Sequence, residues 1–271
     1  MKMKETAKKI QLTPLSTALK TPLIAALLVT VFVVSVMALH LDIAKFQSRL
    51  ANIGKTLSHF VAFDIPTLPK ALLEMLSSIS LGIGALAIGS VISLALSFLA
   101  AANTTPNRFL AASIKGGIAL IRAVPALVWV LMVIASIGFG NTSGLVGLLF
   151  PTCGYLIKSF IASIEDKGMG TIEALQATGA GWFEIMLFGV LPGLLTSLLS
   201  WTSMRLEHNI AESISLGMVG VSGVGSMLMR ALGNYHYAEI TTITVVIFVT
   251  MLTVELAVGQ VRKKLNGDTT K

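Results

Sequence analysis

Arg205, Asn209 and Glu212 stand four and three residues apart, so on one helix they share a face. A planar guanidinium can grip an oxyanion through two parallel hydrogen bonds, and the Asn amide can donate another. Glu212 must then be neutralised by a cation or turn away. The competing reading is that Arg205 extends toward the membrane interface and pairs locally with Glu. Arg122, about two turns along a helix from Lys115, carries the same two readings, lining a path or reaching for the inner surface. Lys158 and Glu255 take the default of charged side chains near helix ends.

Signatures of catalysis are missing from the pattern. Gly54-Lys55-Thr56 has the ending of a phosphate-cradling loop, but Arg49 holds the first glycine position and no strand precedes it. His40, His59, His208 and His236 are dispersed without zinc-binding spacing, and the single Cys153 lies in an apolar run, where a thiol behaves as a small hydrophobe. We therefore expect no catalytic, cofactor-binding or metal-binding residue. Any ATP hydrolysis that drives this chain belongs to a separate subunit.

The elements that must position these residues follow from composition. Hydrophobic residues make up 54% of the 271 and charged residues 12%, with a mean hydropathy of +0.84. These values predict an all-α polytopic membrane protein. Six apolar stretches approach the roughly 20 residues that cross a bilayer: Pro22 to Leu39, Ser77 to Ala101, Ile118 to Phe139, Leu145 to Ile164, Ile185 to Met204 and Ile240 to Val258. The first exceeds the usual apolar length of a cleaved signal and reads as a retained anchor. Lys2, Lys4, Lys8, Lys9 and Lys20 precede it, and Arg262-Lys263-Lys264 follow the last span. An even count with basic ends puts both termini in the cytoplasm. The net charge of +7 is the same Lys and Arg excess beside an anionic leaflet, and implies no nucleic acid.

Between the spans, Ile43, Phe46, Leu50, Ile53, Leu57 and Phe60 recur at helical steps with Lys45, Arg49 and Lys55 off that line, which predicts an amphipathic helix on the outer membrane surface. Ile214 to Met229 is apolar but short for a span. Its glycines at 217, 220, 223 and 225 predict a broken or re-entrant segment, serving either a pathway or tight packing. Glu173 to Gly179 falls on the cytoplasmic side. Thr171 is placed to cap a short helix there, with Glu173 near its positive end and Gly179 stopping it.

That last segment, Glu173-Ala174-Leu175 with Gly179 and Leu191-Pro192, resembles the EAA loop of ABC-importer permeases, which runs Glu-Ala-Ala, three residues, Gly, nine residues, Ile, any residue, Leu-Pro. The departures are Leu175 for Ala and Gly189 for Ile. Arg122-Ala123-Val124-Pro125-Ala126-Leu127-Val128-Trp129 is similar to an Arg-x-x-Pro-x-Leu-Val-Trp stretch of phosphonate-type permeases. The run from Arg205 to Gly225 is similar to that family's Arg-Phe-Glu-x-Asn-x-Arg and Gly-rich blocks, with Ala211 in place of the second Arg and Val221-Ser222 in place of Ala-Gly.

The resemblance implies an ABC type I importer permease fold and transport of a phosphonate, phosphate or phosphite across the bacterial inner membrane. Another small solute, such as an amino acid, and a non-transporting scaffold or sensor are the alternatives. Its expected partners are a cytoplasmic ATPase dimer, a periplasmic or lipoprotein binding protein, a second copy of the chain and membrane lipid. ATPase coupling falls to Glu173, Ala174, Gly179, Leu191 and Pro192. The pathway falls to Arg122, Pro125, Arg205, Glu207, Asn209, Glu212, Gly220, Gly223 and Gly225. The expected organisation is 1–71 for basic end, anchor and interfacial helix, 72–261 for the permease core with its coupling loop at 166–192, and 262–271 for the tail.

Overall fold

The computed structural model describes residues 15–267, so Lys2, Lys4, Lys8 and Lys9 lie outside the described residues. The chain forms two units, 1–57 and 58–271. In the first, α1 (Leu15–Ala38) is long and apolar enough to span a bilayer, and it begins seven residues before the expected Pro22. α2 (Ile43–His59) is the expected amphipathic helix. Asp42 caps it, accepting from the Lys45 backbone N–H at 3.0 Å, with the Lys45 ammonium 2.9 Å away. These contacts hold the Asp42 carboxyl below its ordinary range, the backbone bond most of all.

The second unit is a helical bundle around α3 (Leu68–Ala100), which packs against α6 (Asn141–Asp166) and α9 (Leu191–Gly217). Between them come α4 (Arg108–Ala123), α5 (Ala126–Ile137), α7 (Gly170–Ala177), the single turn α8 (Trp182–Glu184) and a π-type stretch at 185–190. α10 (Val224–Gly233) and α11 (Tyr237–Gly267) complete it. Leu86, Phe98, Leu156 and Leu194 centre one apolar cluster, and Met75, Ile210, Val224 and Ile243 a second. Helical backbone satisfies its own polar groups, which is the requirement for crossing hydrocarbon.

Two of the six expected spans need correction. The third is two helices bent by 93°, so among the described residues five single helices, α1 included, are able to cross, or six crossings are made if the bent pair counts as one. Pro125 is the cause. It cannot donate to the Ile121 carbonyl, and it drives Val124 into extended backbone at φ −96°, ψ 128°. The fifth span continues as α9 to Gly217, so Arg205, Asn209 and Glu212 lie within a continuous helix, not beyond its end. The apolar run stops at Met204 because Arg205 follows it, but the helix continues, and within it Arg205 pairs with Glu212.

The expected break in the Gly-rich block falls at 218–223, between α9 and α10. Gly223 has φ +135° and a Cβ there would strike the Ser78 hydroxyl. A Cβ at Gly225 would strike the Ile214 carbonyl. Ser78 Oγ accepts the Val224 N–H at 3.2 Å, and Ser213 Oγ donates to the Ser78 carbonyl at 2.8 Å, so the reversal is pinned to α3.

Candidate coupling surface and translocation site

α7 is short and exposed on one side, and is fastened at its C-terminal end. Thr171 does not cap it: the helix starts at Gly170 after Met169, with no side-chain cap, and Thr171 lies inside the first turn. Ile172 is buried, whereas Glu173, Ala174, Gln176 and Ala177 are exposed. The helix ends as expected at Gly179, whose φ is +81°. The Gly179 N–H donates to the Gln176 carbonyl at 3.0 Å and the Ala180 N–H to the Leu175 carbonyl at 3.3 Å, which is a Schellman closure. Beyond it, the Trp182 indole N–H donates to the Thr104 carbonyl at 2.7 Å, tying the loop to the α3–α4 connection. Leu191 and Pro192 open α9, where the missing proline N–H costs least.

The two departures from the loop motif meet in space. A Cβ on Gly189 would run into Cδ1 of Leu175. The large residue at 175 therefore occupies the room that the bare residue at 189 leaves, and this contact holds α7 against the π-type stretch.

Arg122 and Pro125 sit at the bend between α4 and α5. The Trp129 indole N–H donates to the Ile121 carbonyl at 3.0 Å, replacing the bond that Pro125 cannot make, and its ring stacks on Phe150 with centroids 4.4 Å apart. Trp129→Phe keeps the stack but strands that carbonyl, and should cost about 1–3 kcal/mol, read as a lower midpoint in detergent unfolding. The Arg122 stem lies against Gly154, where an added Cβ would be 3.0 Å from its Cγ. Its head shares a cavity of about 300 Å³ with Lys115 and Lys158. Lys115 pairs with Glu165 at 3.0 Å.

Arg205 and Glu212 form a two-pronged pair at 2.7 and 3.2 Å. The Arg205 side chain is only 6% exposed, its guanidinium carbon is 5.9 Å from the centre of the Tyr155 ring, and its Nε has no partner. Asn209 is fully buried and its amide is taken up, accepting from Thr152 Oγ1 at 3.0 Å and donating to the Gly82 carbonyl at 3.2 Å. The structure thus joins Arg205 to Glu212 but engages Asn209 with α3 and α6, and the three do not present one open oxyanion cradle. Glu207 is half-buried and pairs with no cation among the described residues. Gly220 has φ +102° and lies under the Phe139 ring. Gly220 also lines an open cavity of about 510 Å³ with Glu74, Ser222 and Arg230.

Residues 93–266 match the family described as binding-protein-dependent transport system inner membrane component. The chain is 31% identical over 223 residues to the phosphite transport system permease protein PtxC of Stutzerimonas stutzeri, covering 82% of this chain and 81% of that one. It is 30% identical over 188 residues to the phosphate-import permease protein PhnE of Mycolicibacterium smegmatis, covering 69% of this chain. The match spans 35% of the length of that mycobacterial relative, and 63% of the length of another Stutzerimonas stutzeri relative, HtxE. Among solved structures, a chain of the inward-facing MetNI methionine ABC transporter superposes with a TM-score of 0.65 at 17% identity, covering 75% of this chain and 99% of that chain. The fold is that of an ABC type I importer permease.

Proposed function

The chain belongs to the binding-protein-dependent transport system inner membrane component family, and we propose that it is the permease subunit through which an ATP-driven importer moves a small phosphorus oxyanion. The observation that carries the transport half of this reading is α7, an exposed helix that is locked at its end and packed on the bundle through Ile172 and Leu175. A rigid projection of this kind transmits displacement where a loose loop would absorb it. The oxyanion half rests on the names of the relatives, which import phosphite and phosphate.

In this reading two ATPase subunits hold α7 from the cytoplasm through Glu173 and Ala174, with Gly179, Leu191 and Pro192 shaping the loop. ATP is used by those subunits, and this chain needs no cofactor. A second copy of the permease encloses the path, and a binding protein delivers the anion at the opposite face. Both termini are cytoplasmic, beside lipid headgroups. Closure of the ATPases rocks the pair between two arrangements. Arg122 and Lys158 face the anion on its way in, and the Gly220 to Gly225 reversal forms the outer mouth.

The test is ATP-dependent uptake of radiolabelled phosphonate into liposomes holding the complete complex, with phosphate, phosphite and amino acids as competitors. Saturable uptake blocked by the phosphorus anions supports the reading. Uptake blocked only by amino acids, or hydrolysis without uptake, overturns it. Gly179→Val forces a β-branched residue into left-handed backbone at a cost of about 1–2 kcal/mol. Uptake should fall roughly tenfold by the matching barrier, while ATP hydrolysis and membrane insertion persist. Full coupled uptake by that variant would remove α7 as the lever.

A further inference from the structure

On the α7 side of the bundle, α9 presents Thr196, Ser197 and Ser200 along one face, with Trp201 beside them. Together with Lys167, which leads into α7, and Arg262 of α11, they line a cavity of about 380 Å³. Ser200 Oγ and Arg262 Nε are shielded from solvent, yet neither has a hydrogen-bond partner. The Lys167 ammonium lies over Gly193, where an added Cβ would be 3.7 Å from Nζ. The Trp201 N–H is taken by Ser163 Oγ at 3.0 Å and supplies nothing to the cavity. No carboxylate lines it among the described residues.

Two cations facing one cavity repel each other, and buried donors left without partners are costly. A tetrahedral oxyanion removes both penalties. Its oxygens can accept from the guanidinium, the ammonium and the hydroxyls at once, and the planar guanidinium suits such a group better than a halide. We propose that this cavity is a binding site for a phosphoryl group, separate from the Arg205 region and from the Arg122 cavity. The group comes either from an anionic phospholipid, whose headgroup basic pockets between membrane helices accept, or from free phosphate. The site is inferred from these donors alone and does not depend on which solute is transported.

The full-length permease in phosphatidylcholine nanodiscs is titrated with radiolabelled inorganic phosphate. In parallel, the permease from nanodiscs containing phosphatidylglycerol is weighed by native mass spectrometry for retained lipid. Saturable phosphate binding assigns the free anion; phosphatidylglycerol that phosphate does not displace assigns the headgroup. In either case Arg262→Gln should weaken binding about tenfold or more, since it removes a charge-assisted donor. Ser200→Ala should weaken it a few-fold by loss of a single hydrogen bond. Lys263→Gln alters the charge equally on a neighbouring residue that does not line the cavity, and should leave binding unchanged. Lys167→Gln supplies a second test on another element should Arg262→Gln fail to assemble. Binding of neither ligand, or an equal loss in Lys263→Gln, overturns the proposal.

Discussion

Glu212→Gln is expected to lower stability by about 3–5 kcal/mol, because it leaves the Arg205 charge buried without its counter-ion. Arg205 is almost wholly enclosed and two of its nitrogens depend on Glu212. The amide of Gln can accept one of those bonds but carries no charge. Replacing both residues with Met should recover most of the loss, since removing a buried pair together is often close to neutral. Unfolding of the two variants beside the parent in titrated denaturing detergent measures this directly. The double variant also separates the two readings of Arg205. Normal uptake by a stable Arg205→Met/Glu212→Met permease would make the pair part of the scaffold. Lost uptake with stable assembly and continued ATP hydrolysis would put the guanidinium on the anion's path.

The all-helical class and most of the spans were readable because hydropathy and helix length are local properties of the chain. α3, α6 and α11 appear where apolar runs place them, extended by polar turns that hydropathy does not register. The misplaced boundaries are those where hydropathy alone does not decide whether a helix continues. Arg205 ended a span on sequence grounds, yet Glu212 cancels its charge two turns later. Ile118 to Phe139 contains enough apolar residues for one crossing, but Pro125 turns the chain by 93°. The proline is visible in the sequence, but a kinked helix can still span a bilayer, so the residue alone does not specify a turn of this size.

The site residues divide in the same way. Gly179 was identifiable as a stop because a left-handed residue after a short helix is a local requirement that glycine meets. Thr171 fits the preference for capping residues, but the helix starts at Gly170 after Met169, so the hydroxyl sits two residues past the capping position. Asn209 fell on the face expected from its spacing, yet spacing within one helix could not reveal that Thr152 and Gly82 take up its amide. The Trp129 bond to Ile121 has a signal in the sequence: a donor-bearing side chain four residues after a helix-breaking proline. The cavity at Ser200 and Arg262 had none, since its walls come from residues more than 90 positions apart in sequence.

Leu175 and Gly189 give the second large effect. Each alone looks like erosion of the loop motif, Leu where Ala is usual and Gly where Ile is usual, but together they conserve volume across one contact. Gly189→Ile should drive its side chain into Leu175, cost about 1–3 kcal/mol by overpacking and push α7 off the π-type stretch. Because the displaced element is the proposed lever, uptake should fall roughly tenfold or more, in line with the sensitivity of function to small misplacements. Leu175→Ala leaves a void in the same place and should also weaken coupling. The decisive variant carries both changes. If the residues compensate, Leu175→Ala/Gly189→Ile regains stability and uptake near the parent, with an interaction energy of roughly 1–3 kcal/mol between contacting sites. Losses that simply add would mean that α7 is held by Ile172 and the Schellman closure alone, and that the two substitutions entered the loop independently.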